Sequence, residues 1–171
     1  MLTCTFENNS VAHLRHVTVT VLVLRQNQIL LEKRGTYLGK PLLESGKWAL
    51  LGGYADRDEN LEGTARREIM EEGGWTLNHL QLLRINDNPN RPKEDRQNIE
   101  MVFFAQAGEK VGVSNEEAAE LHWFDLDMLP EPQMMAFDHL EAIELYKSFL
   151  KQPFALPKLG WRISRHLPFF A

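Results

Sequence analysis

Residues 67–74 read Arg-Glu-Ile-Met-Glu-Glu-Gly-Gly, and they carry three carboxylates and one guanidinium within two helical turns. Side chains three and four apart share a helical face, so Glu68, Glu71 and Glu72 are neighbours on any helix built here. Arg67, four before Glu71 and next to Glu68, balances only part of that charge. Two unit charges about 4 Å apart repel by roughly 4 kcal/mol at an effective dielectric near 20. Solvent on an exposed face relieves this repulsion, and so does a divalent cation. Spacing alone serves both. The glycine pair Gly52-Gly53, upstream after an apolar run, favours the cation, because glycines let backbone carbonyls and amides approach an ion or a phosphate closely. Mg²⁺ takes one or two carboxylates and completes its shell with substrate phosphates and water. No Gly-Lys-Ser/Thr follows the glycines, which excludes a P-loop.

Such a site needs elements to hold it. The segment 16–24 alternates Val17, Val19, Val21 and Val23 and predicts a strand, with residues 29–34 as its hairpin partner. Residues 35–47 carry three Gly and one Pro and read as a loop. Residues 48–53, Trp-Ala-Leu-Leu-Gly-Gly, predict one short buried strand. A helix follows over 61–72, with Asn60 or Asp58 as N-cap and Gly73-Gly74 as its stop. Two strands, 75–87 and 98–113, flank a polar loop at 88–97, and 120–126 is a short strand. Phe137, Leu140, Ile143, Leu145 and Phe149 put an apolar stripe on a helix over 135–151. The tail 152–171, rich in Pro and aromatics, packs on the body or on a partner subunit, or stays loosely ordered. Strands and helices in this order predict one domain over 1–171, mixed α/β or α+β.

Composition narrows the setting. At 171 residues, 43% apolar and 25% charged, the chain has material for one core of ordinary soluble type. A net charge of −5 gives no global attraction for nucleic acid or anionic membrane. One cysteine, Cys4, rules out an internal disulfide and a cysteine zinc site. No apolar run has the roughly 18–20 residues of a membrane span, and the N-terminus has no basic region leading into an apolar one, so the expected compartment is the cytoplasm. The six histidines show no metal-binding spacing; His122 and His139 read as structural.

The stretch 53–75 resembles the Nudix hydrolase signature. That pattern is Gly, five residues, Glu, seven residues, Arg-Glu, an apolar residue, any residue, Glu-Glu, any residue, Gly, and an apolar residue. Gly53, Glu59, Arg67, Glu68, Ile69, Glu71, Glu72, Gly74 and Trp75 fill its defined positions. The strand pair before it and the acidic segment 116–130 after it also look like the family, so the resemblance covers roughly 15–150. One departure is Leu51 where Pro is common before the two glycines.

The resemblance implies the α/β class, an α/β/α sandwich with a mixed sheet, and hydrolysis of a nucleoside diphosphate derivative at its diphosphate, with Mg²⁺, for which Mn²⁺ substitutes. It implies Glu68 and Glu72 as principal metal ligands, Glu71 as a further ligand or hydrogen-bond partner, and the Gly52 carbonyl as another oxygen. Arg67 would orient and balance the carboxylates, and Glu59 would brace the loop or reach a metal through water. The general base is a glutamate of the helix, Glu71, or one of a later loop, where Glu117 leads and Glu116 and Glu120 follow. Glu117 is in that case also a metal ligand. Arg91 and Arg96 in the polar loop and Arg34 at a strand end are candidate phosphate or ribose contacts. Tyr37, Trp48 and Phe103 could stack on a base or belong to the core. Pro89 and Pro92 bracket a proline position typical of ADP-ribose pyrophosphatases, so ADP-ribose or a related nucleotide sugar is the expected substrate. A dNTP or dinucleoside polyphosphate is the alternative, and a non-catalytic nucleotide sensor a third reading. A homodimer is a family-level expectation.

Overall fold

The computed structural model describes residues 2–93 and 96–159. The chain opens with an antiparallel hairpin, β1 (Leu2–Thr5) and β2 (Val11–Leu14), which forms a sheet of its own and was not foreseen from the sequence. Next come β3 (Val17–Arg25) and β4 (Gln28–Arg34), turning at Gln26, whose φ is 54°. The expected loop at 35–47 contains a small ribbon of β5 (Thr36–Tyr37) and β6 (Lys40–Pro41). The expected strand 48–53 is two pieces, β7 (Trp48–Ala49) and β8 (Leu51–Tyr54). Helix α1 (Leu61–Gly73), β9 (Trp75–Asn86), β10 (Ile99–Lys110), β11 (Ala118–Asp125), a 3₁₀ turn (Pro132–Met134) and α2 (His139–Lys151) complete it.

The main sheet runs β11-β4-β3-β10-β9, with β10 parallel to β3 and the other neighbours antiparallel, so it is mixed. β3 and β4 pair only at Val23–Arg25 and then diverge. β8 pairs with β3 (Thr20↔Gly52, Val19↔Gly53) and β7 pairs with β4 (Glu32↔Ala49). The segment 48–54 is therefore wedged into a fork, and Leu50 is where it changes partner. That is why one apolar run becomes two strands.

Strand alternation sends side chains to opposite faces. Val19, Val21 and Val23 pack with Ala65 and Ile69 of α1, while Leu22 and Leu24 pack with Ala142, Ile143 and Tyr146 of α2. The result is the expected α/β/α sandwich. Each buried aliphatic side chain here contributes about 1.5–3 kcal/mol, and this core fixes the helix against the fork.

Asn60 caps α1, its side-chain oxygen accepting from the Gly63 N–H at 2.8 Å. Gly74 ends it in the left-handed region at φ 66°, and a Cβ there would lie 2.3 Å from the Gly112 carbonyl oxygen. Helix α2 begins at His139, four residues later than the apolar stripe suggests. Met135 and Ala136 are engaged elsewhere: Met135 bridges to Trp48, and the Ala136 N–H donates to the Trp48 carbonyl at 2.8 Å. Phe137 follows at φ 51°. Of the tail, Leu156 and Leu159 lie partly buried against the two cores; the expected packing of 160–171 lies outside the described residues.

Candidate active site

Gly52 and Gly53 sit at the mouth of the fork; Gly52 does not tolerate a side chain, and one on Gly53 would displace the Glu68 carboxylate. A Cβ on Gly52 would lie 2.0 Å from the Val19 carbonyl oxygen, and one on Gly53 would lie 2.5 Å from Glu68 Oε1. The backbone thus lies directly against the carboxylates of α1. The Gly52 N–H donates to Glu72 Oε2 at 2.7 Å. Thr64, Ala65, Glu68, Ile69 and Glu72 form the buried face of α1, so two of its acids are carried inward by the same stripe that packs on the sheet.

Arg67 organises the outer side. Its Nε and Nη2 donate to the two oxygens of Glu59 at 2.8 and 3.0 Å. Its Nη1 donates to Glu68 Oε1 at 2.8 Å and Glu71 Oε2 at 3.3 Å, and Nη2 also donates to the Tyr54 carbonyl at 3.0 Å. Glu59 accepts a further bond from the Thr64 hydroxyl at 3.0 Å. The hydrogen bond from Arg67 is the main reason its carboxyl is held down at about 2.

These groups open into a cleft of about 540 Å³. Among the loop glutamates, Glu117 lines it, with its carbonyl accepting from Gly35 N–H at 2.7 Å. Glu116 is turned to the ribbon, accepting from the Leu38 N–H at 2.7 Å, and Glu120 pairs with Lys33 at 3.7 Å on the surface. Arg34 lines the cleft as well, donating from Nε to the Leu43 carbonyl at 2.8 Å, with its guanidinium 5.2 Å from the Phe137 ring centroid. Arg96 stands at the mouth over the Tyr54 ring and donates to the Tyr54 hydroxyl.

Arg91 lies deeper, 7% exposed. Its Nε and Nη2 meet Asp138 Oδ1 at 3.0 and 2.5 Å, and Nη2 also meets Glu100 Oε1 at 3.2 Å. This arginine, expected as a phosphate or ribose contact, lines the cleft while two of the protein's own carboxylates hold it. Glu100 also accepts from the Thr20 hydroxyl at 2.7 Å. His139 Nδ1 accepts the Leu50 N–H at 3.0 Å, and burial keeps the ring neutral by pushing it down to about 4. Of the three aromatics, Tyr37 lies exposed at the cleft, Phe103 is core beneath α1, and Trp48 packs edge-on to Phe124.

One carboxylate in this region escapes a reading by motif. Glu32 of β4 is 1% exposed, and burial, with lesser contributions from Glu117 and Glu68 against the opposing charge of Arg34, pushes it up to about 8. The sequence held one signal: an acid two residues after Leu30, on the inward face of an apolar strand. Burial also raises Glu68 and Glu117, and it raises Glu72 strongly, with the charge of Glu32 adding to it.

Such crowding fits a divalent cation. Glu32 Oε2 is buried without a hydrogen-bond partner, and Glu68 and Glu72 are hard oxygen donors facing a backbone turn. Among the described residues no three His, Cys, Asp or Glu side chains form a ready-made cage. No helix among the described residues is long and apolar enough to cross a membrane.

Known proteins share this architecture. A family model described as the NUDIX domain matches residues 14–146. The ADP-ribose pyrophosphatase of Methanocaldococcus jannaschii is 34% identical over 132 residues, spanning 76% of this chain and 72% of that protein. The oxidized purine nucleoside triphosphate hydrolase of Danio rerio is 30% identical over 122 residues, spanning 70% and 72%. The crystal structure of a MutT NUDIX hydrolase from Burkholderia pseudomallei superposes with a TM-score of 0.59 at 31% identity, covering 76% of this chain and 96% of that one. The family match runs from the end of β2 into the second half of α2 and takes in every group of the fork, and by it the chain belongs to the NUDIX family of hydrolases.

Proposed function

We propose that the protein is a Mg²⁺-dependent pyrophosphohydrolase of the cytoplasm that cleaves the diphosphate of a nucleoside diphosphate derivative, ADP-ribose or a related nucleotide sugar. The observation that carries this reading is the set of buried carboxylates around Gly52 and Gly53, opening into a cleft that Arg34 also lines. Glu68, Glu72 and the Gly52 carbonyl would hold the cation, with Glu71 and Glu117 at its edge. Mg²⁺, with Mn²⁺ as its substitute, supplies charge neutralisation on the diphosphate oxygens and a bound water of lowered pKa.

The chain's own groups do the rest. Arg67 locks Glu68 and Glu71 in place and is itself locked by the fork of Glu59. Arg34 meets phosphate charge within the cleft. Glu117 is the general base: it lines the cleft, burial raises its carboxyl above the ordinary value, the direction that favours a base, and its backbone is anchored to Gly35. Glu71 is half-exposed, with one carboxylate oxygen already on Arg67, which makes it the weaker choice. The 34% identical relative named for ADP-ribose supports the substrate, and the 30% identical one named for purine triphosphates supplies the competing reading.

One panel separates them. Nucleoside diphosphate derivatives, dinucleoside polyphosphates and dNTPs are assayed with Mg²⁺ and with a chelator. AMP and ribose 5-phosphate from ADP-ribose, lost with the chelator, are expected. Preference for a dNTP or an oxidised purine triphosphate would sink the substrate reading, and no turnover of any compound would leave a sensor.

A further inference from the structure

Glu32 lies outside the signature and has no role in the reading above. It is carried by β4, two residues beyond Leu30, on the face turned to α1. Leu30 reaches the end of that helix: a Cβ on Gly73 would lie 3.8 Å from Leu30 Cδ2. The residue before Gly73 is Glu72, so the next inward position on the strand brings Glu32 within electrostatic reach of Glu72, with Glu68 and Glu117 also close enough to interact.

Its surroundings offer it little. Arg34 Nη1 stands 3.5 Å from Oε1, while the same guanidinium uses Nε on the Leu43 carbonyl. Oε2 is fully buried and meets no donor. An ionised carboxylate only accepts hydrogen bonds, so its missing partner is a donor or a cation. Burying an unpaired charge is among the most costly arrangements in a protein, and a position needing only an apolar filler gains nothing from glutamate. Glu32 on the strand interacts electrostatically with Glu68 and Glu72 on the helix, and although the three form no ready-made cage, a divalent ion is a common remedy for such crowding.

We propose that Glu32 is a cation-binding residue of the active site, adding from the sheet side a third buried carboxylate to Glu68 and Glu72 on the helix. The inference rests on the Mg²⁺ reading above. It competes with a structural role in which Glu32 stays protonated and hydrogen-bonds a neighbouring acid, a role that glutamine fills equally well.

Mn²⁺ binding to the full-length protein, followed by the paramagnetic resonance of the free ion, distinguishes the two. Thermal melts without metal check that each variant folds. Glu32→Gln is expected to weaken Mn²⁺ binding at least about tenfold and to shrink the Mn²⁺-induced rise in Tm. Glu32→Asp, which keeps the charge with a shorter reach, is expected to fall between Gln and the native protein. Glu144→Gln, paired with Lys147 on α2, controls for loss of acidic charge and should bind as the native protein does. Native-like Mn²⁺ binding by a folded Glu32→Gln overturns the inference and leaves the hydrolase reading intact. Failure of the native protein itself to bind Mn²⁺, with or without nucleotide, overturns both.

Discussion

Stripped of divalent cations, the protein should lose stability as pH rises from about 4.5 to about 8, and Glu32→Gln should remove the part of that loss that Glu32 contributes. The folded protein keeps a proton on Glu32 up to about pH 8, whereas the unfolded chain releases it near the ordinary 4.5. Between those values the folded state binds more protons, so raising pH favours unfolding. The contribution is whole below 4.5 and is gone once pH has passed through 8. At about 1.4 kcal/mol per pH unit, that interval caps the loss at about 5 kcal/mol. Local relaxation and water entry leave roughly half, about 2–3 kcal/mol. At about 2–4 °C per kcal/mol for a chain of this size, Tm should fall by roughly 5–10 °C between pH 5 and pH 8.5. The assay is a set of melts in chelator at constant ionic strength, native protein beside Glu32→Gln. Glu72, which burial and Glu32 both raise, leaves a residual slope in the variant. Parallel curves for the two proteins would refute the argument, because they would mean that Glu32 titrates alike folded and unfolded.

Three further outcomes follow from the same geometry. Glu72→Gln should lower kcat at least about 10²-fold, the scale of losing a positioned charge-stabilising group; near-normal turnover at saturating Mg²⁺ would remove Glu72 from the metal set. Arg67→Lys should cut kcat/KM at least about tenfold, because three donors on a point charge cannot span Glu59, Glu68, Glu71 and the Tyr54 carbonyl; steady-state kinetics showing native values would contradict that spanning role. Asn60→Ala should cost about 1 kcal/mol through the lost cap, a fall in Tm of about 2–4 °C, with kcat kept; an unchanged melt would mean that the cap to Gly63 contributes nothing.

What the sequence made legible is local. Asn60 and Gly74 bound α1 within a few residues of the groups they satisfy, and Glu59 meets Arg67 across one loop and two helical turns. The strands and the two helices follow from alternation and a 3.6-residue stripe, while the mixed sheet between two helical layers is what the family resemblance implies. What stayed hidden is non-local. Arg91 reads as a candidate phosphate or ribose contact in a polar loop, and nothing near it in sequence shows that its partner Asp138 is 47 residues away and that both are buried. The division of 48–54 depends on β3 and β4 diverging, which no window around Leu50 reveals. The late start of α2 depends on Trp48 claiming Met135 and Ala136. Glu32 gave a faint signal, but its consequence depends on which helix face comes to lie over it.

These hidden contacts converge on the backbone that the signature needs. The Gly52 N–H is held by Glu72, from the layer of α1. Two residues earlier, the Leu50 N–H is held by His139, from the first residue of α2. His139 Nε2 stands 3.7 Å from Glu100, which with Asp138 binds Arg91. The segment between the diverging strands is therefore fastened from both layers of the sandwich. Because burial pushes His139 down to about 4, its Nδ1 remains an acceptor across neutral pH, and the Leu50 contact does not switch as the acids across the sheet titrate. The glycines can thus present bare backbone to a charged ligand without relying on that ligand to hold them in place. Helix α2, which contributes nothing to the signature, supplies that rigidity.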